Sequence, residues 1–309
     1  MLVIPVTKEE KILVCIPSYN AEESISATIN SVLNQSIKNY GILVVDNCST
    51  DKTAEIVEKM RRADDNSEKI KFEANPTNLG RIPNWNKCIE LFLLSDFDYL
   101  KFLFTGDTLQ KDCLETLLNG FKRYNDKLGI VAAGYNNTEG GITKKIKRFN
   151  EERHLTSKEG LTLFVEDGNW VGAPLSCMFS KDAVRDLRFD KSFDFTSDWI
   201  FYIHVVCRFD ALCINKIVGN FSALQRKHFQ KYRSNLFAKL EELHTRYFAL
   251  EKLKAYISEA ETNQLVKYLN KESVKALILH ISLADSFSIF IYKLKKSVFN
   301  PRFGFKKTK

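Results

Sequence analysis

Apolar and polar residues alternate along the first half of the chain in a repeated order of strand, loop and helix. Short apolar runs predict buried strands at Ile12–Ile16, Ile42–Val45, Tyr99–Phe104 and Gly129–Ala133, and a weaker strand at Lys69–Phe72. Between these runs, apolar residues recur at helical spacing. This alternation predicts a mainly parallel sheet with right-handed crossovers and flanking helices, so the predicted fold class is α/β.

The pattern changes in the second half of the chain. The basic stretch Lys144–Arg148 predicts a solvated hairpin or loop, the segment Asp194–Trp199 should open a helix, and short strands are expected within Ala211–Phe221. The last part of the chain is basic and helical in pattern. We therefore assign one domain to residues 1–224 and a helical, basic region to residues 225–309.

Polar loops follow the first three predicted strands. They comprise Ser18–Glu22, Asp46–Asp51 and Asn75–Arg81, and Asp107 follows the fourth strand. Because parallel strands present their carboxyl ends at one edge of a sheet, these loops and Asp107 should line one pocket. Polar residues at this density are more than ordinary turns require, so we expect a ligand site there.

The chemistry of these residues suits a sugar nucleotide. Asp46 can accept a hydrogen bond from a pyrimidine ring N–H, Arg81 can contact a phosphate, and Asp107 can hold a divalent metal against a diphosphate. The alternative is that Asp46 only caps a helix and Arg81 is solvated. The joint pattern of the loops favours the nucleotide site.

Composition narrows the class of protein. The chain has 309 residues, 44% hydrophobic and 27% charged, which is ordinary for a soluble globular protein. Its formal net charge of +8 calls for an anionic partner such as nucleic acid, a nucleotide diphosphate or an anionic membrane surface. Many basic residues lie in the C-terminal tail and around Lys144, and no groove- or base-reading motif is present, so we expect no nucleic-acid partner.

The cysteines and the terminal segments indicate in which cellular compartment we expect the protein. Seven scattered cysteines without a CxxC pair favour a reducing cytoplasm, and we find no signal peptide. The apolar segment Ala276–Tyr292 contains His280 and Asp285 and is too polar for a membrane span. The tail interleaves lysines with phenylalanines, which suits either peripheral contact with the inner face of an anionic plasma membrane or a solvated end.

Three motifs in order carry a family resemblance. The segments Pro17–Glu22, Val44–Asp51 and Asn78–Asn86 resemble the successive nucleotide-binding segments of family 2 glycosyltransferases with the GT-A fold, and the resemblance runs from about Ile12 to about Asn235. It implies an inverting enzyme that moves a sugar from a nucleoside-diphosphate sugar, UDP-linked or related, to a hydroxyl of a glycan or lipid-linked acceptor. The implied process is bacterial surface-polysaccharide synthesis.

The resemblance also implies site residues. The nucleotide would be bound by Pro17, Tyr19, Asn20, Glu22, Asp46, Asn47, Asp51, Asn78 and Arg81. The family's metal motif usually has two or three acidic residues after the fourth strand. Here that position reads Thr105-Gly106-Asp107, so the role of binding Mn²⁺ or Mg²⁺ passes to Asp107 alone, with His228 as a candidate second ligand to the metal or the diphosphate.

The catalytic base and the sugar contacts follow in the same way. Ser197-Asp198-Trp199 resembles the family's acidic-tryptophan segment, which makes Asp198 the base, with Asp194 as the fallback. Asp198 could instead be an ordinary aspartate in the first turn of a helix. Gly172, Trp170 and Trp199 would face the donor or acceptor sugar, although Trp170 could equally belong to the core.

Two other functions remain open from the sequence. Because Thr105 and Gly106 lack carboxylates, the protein could be a degenerate transferase that binds a sugar nucleotide without turnover. A nucleotidyltransferase would be expected to have a glycine- and lysine-rich phosphate loop after the first strand, and Ser18–Ala21 is not such a loop. The sequence gives no indication of the oligomeric state.

Overall fold

The structure is a computed structural model that describes residues 9–63, 66–124, 127–139, 142–222 and 236–280. The strands are β1 (Ile12–Ser18), β2 (Tyr40–Asp46), β3 (Ile70–Ala74), β4 (Tyr99–Phe102), β5 (Thr108–Leu109), β6 (Leu128–Glu139), β7 (Ile142–Ile146), β8 (Arg153–Leu155), β9 (Cys177–Ser180) and β10 (Asp210–Phe221). The helices are α1 (Ile25–Leu33), α2 (Thr53–Arg62), α3 (Arg81–Leu93), α4 (Cys113–Arg123), α5 (Ser157–Asp167), α6 (Lys181–Val184), α7 (Ser197–Val206), α8 (Leu236–Leu253) and α9 (Glu259–His280). A short 3₁₀ turn covers Pro174–Ser176.

The strands form one mixed sheet in the order β3-β2-β1-β4-β9-β6-β10-β5. Strands β1 to β4 pair in parallel, and β6 pairs in parallel with β10. Strand β9 lies antiparallel between β4 and β6, while β7 pairs with β6 as a hairpin and β8 with β10. The predicted α/β class with a mainly parallel sheet is confirmed.

Helices cover both faces of the sheet, which is why its central strands are continuously apolar. Successive side chains of β1 enter two different clusters: Leu13 and Cys15 pack on one face, and Ile12, Val14 and Ile16 pack on the other. The second of these clusters also contains apolar residues of α1 and α4.

The C-terminal helices belong to the first of these clusters. Ala249, Leu250 and Leu253 of α8 and Leu269 of α9 are buried together with the apolar residues of α5 and α7. The described part of residues 225–309 therefore packs on the same core as the sheet.

Several local boundaries differ from the predicted ones, as β4, β10 and α3 illustrate. Strand β4 ends at Phe102 rather than Phe104, and β10 is one irregular strand rather than several short ones. Helix α3 begins at Arg81, two residues before Pro83, because Gly80 adopts a φ of +84° that turns the chain into the helix. The basic stretch forms the hairpin strand β7, as one of the two predicted alternatives.

Lys101 is the one charged residue within β4, and the tertiary structure explains it. Its side chain is fully buried, and its ammonium donates to the carbonyl oxygens of Phe102 at 3.0 Å, Pro174 at 3.1 Å and Leu175 at 2.5 Å. Burial lowers the pKa of Lys101. These hydrogen bonds thus hold the 3₁₀ turn against the end of β4.

We expect Lys101→Met to lower the free energy of unfolding by about 2–4 kcal/mol, since it leaves buried carbonyl oxygens without donors. Urea denaturation measures this loss, with Lys111→Met as the control because Lys111 is exposed. An unchanged urea midpoint for Lys101→Met would show that the three hydrogen bonds contribute no net stability.

Candidate active site

The loops after β1, β2 and β3 are joined to one another by side-chain hydrogen bonds. Ser18 Oγ donates to Asp46 Oδ1 at 3.0 Å, and Asn47 Nδ2 donates to Asn78 Oδ1 at 2.9 Å. The amide N–H of Leu79 donates back to Asn47 Oδ1 at 2.9 Å. The carboxyl ends of the parallel strands therefore form one connected edge, as their order along the chain predicts.

Several residues predicted to bind the nucleotide hold these loops in place. Asn20, at a φ of +44°, accepts from Thr50 N–H at 2.9 Å. Asp51 accepts from Glu22 N–H, and Glu22 in turn accepts from Lys52 N–H, both at 3.0 Å. Asn20, Glu22 and Asp51 therefore hold the loops in shape, whatever further contacts a ligand adds.

Asp46 is buried, and its carboxylate is already hydrogen-bonded within the protein. It accepts from Ser18 Oγ, from Ser49 N–H at 2.8 Å and from Ser49 Oγ at 2.5 Å. Pro17 is buried in β1, whereas the neighbouring Tyr19 is 49% exposed. The Tyr19 ring is therefore exposed, one residue after Ser18, whose hydroxyl group donates to the Asp46 carboxylate.

A cavity of about 450 Å³ opens between the sheet, α3 and the start of α7. Three aromatic and basic residues form one wall: Arg81 lies over the Trp85 ring at 5.1 Å, and Trp85 stacks on Phe104 with centroids 4.5 Å apart. The guanidinium of Arg81 also donates to the carbonyl oxygen of Asp194. The wall further includes Tyr135, Asn137, Ile146, Lys147, Arg148, Asn169, Trp170, Gly172, Asp194, Asp198, Trp199 and Phe221.

Asp198 stands in the first turn of α7 and lines this cavity. Burial raises the pKa of its carboxyl to about 7, while the Trp199 N–H at 3.0 Å and the charge of Arg81 act in the opposite direction. A carboxylate with a pKa near neutrality exchanges protons readily at physiological pH. Asp198 is thus a carboxyl group on the cavity wall that is suited to exchange protons with a bound molecule.

The predicted sugar-facing residues differ in exposure: Gly172 and Trp199 are partly exposed, whereas Trp170 is buried. Gly172, at a φ of +96°, is held by Asn169, which accepts from Gly172 N–H and donates to its carbonyl oxygen, both at 3.0 Å. Trp170 is 2% exposed, and its indole donates to Gly160 O at 2.9 Å, so it shapes the wall from within the core. Trp199 is partly exposed beside Asp198.

Asp107 does not itself line the cavity. Its carboxylate is buried and accepts from the Ser222 N–H at 2.8 Å, next to the cavity-lining Phe221. Burial raises the pKa of Asp107 to about 7, and the charge of Lys101 opposes that rise. The side chain thus lies where β5 meets the end of β10. Residues 223–235, and with them the predicted ligand His228, lie outside the described residues.

Comparison with known proteins identifies the family. Residues 13–188 match the family model described as glycosyl transferase family 2. The chain belongs to this family. An uncharacterized glycosyltransferase of Haemophilus influenzae is 35% identical over 160 residues, which cover 50% of this chain and 62% of the relative. The amylovoran biosynthesis glycosyltransferase AmsB of Erwinia amylovora is 31% identical over 144 residues, covering 45% and 46%.

The solved structures agree with the predicted GT-A fold. The crystal structure of Staphylococcus aureus TarS 1-349 in complex with UDP-GlcNAc superposes with a TM-score of 0.65 and 18% sequence identity, covering 88% of this chain and 73% of the TarS 1-349 chain. The chain spans less than two thirds of the length of the two sequence relatives. The likeness to TarS establishes the fold of this family 2 member.

The side chains near Asp107 supply only part of the set of ligands that a divalent metal needs. Across the described part of the chain, no three His, Cys, Asp or Glu side chains gather where they could hold an ion. Mg²⁺ and Mn²⁺ take oxygen ligands and are often held by one or two carboxylates with substrate phosphates. Asp107 offers a single carboxylate, which is 1% exposed and lies outside the residues that line the cavity.

Glu241 of α8 is a site residue that the sequence pattern does not reveal. Its carboxylate accepts from the backbone N–H groups of Phe195 and Thr196 at 2.6 Å each and of Asp194 at 3.2 Å, and from Thr196 Oγ1 at 3.1 Å. It thereby holds the loop that leads into α7 and Asp198. Nothing distinguishes it in the sequence from Glu242, which only pairs with Lys239.

We expect Glu241→Ala to lower the free energy of unfolding by about 2–4 kcal/mol, because hydrogen bonds to a charged group are lost where backbone N–H groups are partly buried. Glu242→Ala is the matched control on the next position of the helix, with an expected change within about 0.5 kcal/mol. Thermal unfolding of both variants measures the difference. Equal losses would contradict a specific role for Glu241.

Proposed function

We propose that this protein is an inverting glycosyltransferase that moves a sugar from a nucleoside-diphosphate sugar to a hydroxyl group. The observation that carries the proposal is Asp198, a carboxylate that lines a cavity together with Arg81 in a family 2 fold and whose pKa is raised to about 7 by burial. The acceptor oxygen attacks the anomeric carbon, and its proton passes to Asp198. The bond from that carbon to the diphosphate oxygen breaks, and the nucleoside diphosphate leaves with the electron pair.

The donor is UDP-linked or a related diphosphate sugar. TarS, which shares the fold, has been crystallised with UDP-GlcNAc. In this chain we assign the nucleoside to the loops that contain Tyr19, Asp46 and Asn47. Arg81 supports a phosphate contact, since its guanidinium lies at the cavity between the Trp85 ring and the Asp194 carbonyl group.

We assign the metal site to Asp107. Mn²⁺ or Mg²⁺, when bound there, would neutralise charge on the departing diphosphate. A mannosyltransferase of Pyrobaculum calidifontis that shares this fold was solved with GDP-Man and Mn²⁺, at a TM-score of 0.58 and 12% identity. The single carboxylate of Asp107 also supports the second candidate function, a protein that binds a sugar nucleotide without turnover.

The acceptor is a glycan or a lipid-linked glycan of surface-polysaccharide synthesis, which agrees with the name of AmsB. A cytoplasmic location with peripheral membrane contact remains part of the proposal, and the tail that would make the contact lies outside the described residues. None of the helices in the described ranges has the length and apolarity of a membrane span.

Asp198→Asn tests the base. We expect turnover to fall by about 10²–10⁴-fold, while nucleotide-sugar binding stays unchanged. In the wild type, turnover should fall as the pH drops below about 7, because protonated Asp198 cannot accept a proton. Asp194→Asn is the control, since Asp194 lines the same cavity. A large loss in the control with normal turnover in Asp198→Asn would transfer the role to Asp194.

The Asp198→Asn substitution should also change how the stability of the fold depends on pH. Burial raises the folded pKa of Asp198 from 3.8 to about 7, so the unfolded chain ionises first as the pH rises. Stability that is present below about pH 4 is thereby lost progressively up to about pH 7. Asparagine does not titrate, so the variant should melt above the wild type at neutral pH and close to it under acid conditions.

Thermal shift with nucleotide sugars tests the donor and the metal together. We expect UDP-sugars to raise the melting temperature more with Mn²⁺ than without it, since the diphosphate completes the metal shell at Asp107. Asp107→Asn should abolish the additional shift from Mn²⁺ while keeping the metal-free shift. A wild type that binds donor but shows no turnover with any acceptor tested would establish the second candidate function.

A further inference from the structure

The β6–β7 hairpin carries lysines beside the cavity that have no partner in the described residues. Lys144, Lys145 and Lys147 are exposed and form no ion pair there, whereas the adjacent Arg148 is paired with Asp167. Three neighbouring ammonium groups repel one another and attract anions.

The register of the hairpin separates these lysines by face. Lys144 lies opposite Asn137 and Ile146 opposite Tyr135, so these four residues share one face of the ribbon. Tyr135, Asn137 and Ile146 line the cavity, and so does Lys147 just beyond the strand. Lys145 lies opposite Asn136 on the other face. Lys144 therefore shares the face of the cavity-lining residues of the hairpin, and Lys147 lines the cavity itself.

Asn137 supplies a second, independent observation. Its Oδ1 is buried and has no hydrogen-bond partner within the described ranges. Buried polar atoms without partners are rare in folded proteins, because each costs desolvation free energy. The neighbouring Asn136, by contrast, donates from Nδ2 to Asn220 Oδ1 at 2.9 Å. Asn137 lines the cavity, so a rotation of its side chain would bring this atom to a ligand hydroxyl group.

We propose that the cavity face of the β6–β7 hairpin, with Asn137, Lys144 and Lys147, binds a negatively charged acceptor glycan. The inference rests on the proposed transferase function and adds the chemical class of the acceptor. Asn137 accepts a hydrogen bond from a sugar hydroxyl group, and the two lysines bind carboxylate or phosphate groups on neighbouring units of the chain. The acceptor hydroxyl then lies in the cavity that contains Asp198.

An anionic glycan fits this face better than a membrane surface does. Tyr135, Asn137 and Lys147 line a concave cavity, whereas a bilayer would need the charged groups to project together from a convex surface. Ile142, at 65% exposed, is the one strongly exposed apolar side chain of the hairpin strand. Vesicles are nevertheless included as one arm of the test.

The experiment measures binding to the full chain by fluorescence anisotropy. The probes are a labelled oligogalacturonide for carboxylate, a labelled oligo(glycerol phosphate) for phosphate and labelled dextran as the neutral glycan, with phosphatidylglycerol vesicles in a separate sedimentation assay. The test variant is Lys144→Gln with Lys147→Gln. The matched control, Lys145→Gln with Lys71→Gln, removes the same charge from the opposite hairpin face and from β3.

We expect one of the two anionic probes to bind with an affinity that falls with salt, and dextran to bind weakly. The test variant should lose roughly threefold to thirtyfold in affinity, the range for two exposed ion pairs, and the control much less. Equal losses in both variants, no binding of either anionic probe, or binding to vesicles alone would each overturn the proposal.

A nucleotide-sugar thermal shift keeps the two proposals separable. The test variant should retain the wild-type shift, so that a loss of glycan binding with donor binding intact is assigned to the hairpin. A wild type that shows no shift with any sugar nucleotide contradicts the proposed function instead. If the wild type binds the donor and the test variant binds the anionic probe with the wild-type affinity, the acceptor inference is wrong and the proposed function is unaffected.

Asn137→Ala and Asn136→Ala give a second matched pair. Asn137→Ala should weaken glycan binding without lowering the melting temperature, because no internal hydrogen bond is lost. Asn136→Ala should lower the melting temperature through its lost bond to Asn220 and leave glycan binding close to the wild type. The reverse pattern would show that the polar atom of Asn137 serves the fold rather than a ligand.

Discussion

The four hydrogen bonds that Glu241 accepts connect the last helices of the chain to the cavity. A carboxylate on successive backbone N–H groups is held both by those bonds and by the positive end of the following helix dipole. The bond between Thr196 and Thr245 hydroxyl groups, at 2.7 Å, adds to the same contact. The start of α7, and with it Asp198, therefore depends on α8.

Helix α8 is itself anchored by another buried ionic group. Arg246 is 5% exposed and donates to the carbonyl oxygens of Val165 at 2.8 Å and Glu166 at 2.6 Å, at the C-terminal end of α5. A cation at the negative end of a helix satisfies carbonyl groups that lack partners within the helix. Glu241 at the start of α7 and Arg246 at the end of α5 thus join α8 to two helix ends.

Burial sets the protonation of the groups around the cavity. Desolvation raises the pKa of Asp107 and Asp198 and lowers that of Lys101, which in each case favours the neutral form. The family match ends at residue 188, so Asp198 and Glu241 belong to the part of the chain beyond it. The matched segment contains the polar loops after β1, β2 and β3, and later elements complete the cavity.

The sequence by itself determined the α/β fold and the family. Apolar runs of strand length alternating with helical periodicity leave few other arrangements, and the motifs from Pro17 to Asn86 lie in loops whose common edge follows from parallel strands. These features are local in sequence, so a linear pattern records them. The loop contacts of Asn20 and Asp51 were not predicted, because hydrogen-bond partners depend on how two loops meet.

Only the tertiary structure decided which residues surround the cavity. Lys101 interrupts a strand in the sequence and proves to be a buried donor to a turn more than seventy residues later. Glu241 looks like its neighbour Glu242, and the indole of Trp170 turns into the core. These roles arise from contacts between residues far apart in the chain, and from desolvation, which depends on all the atoms around a group rather than on its place in the sequence.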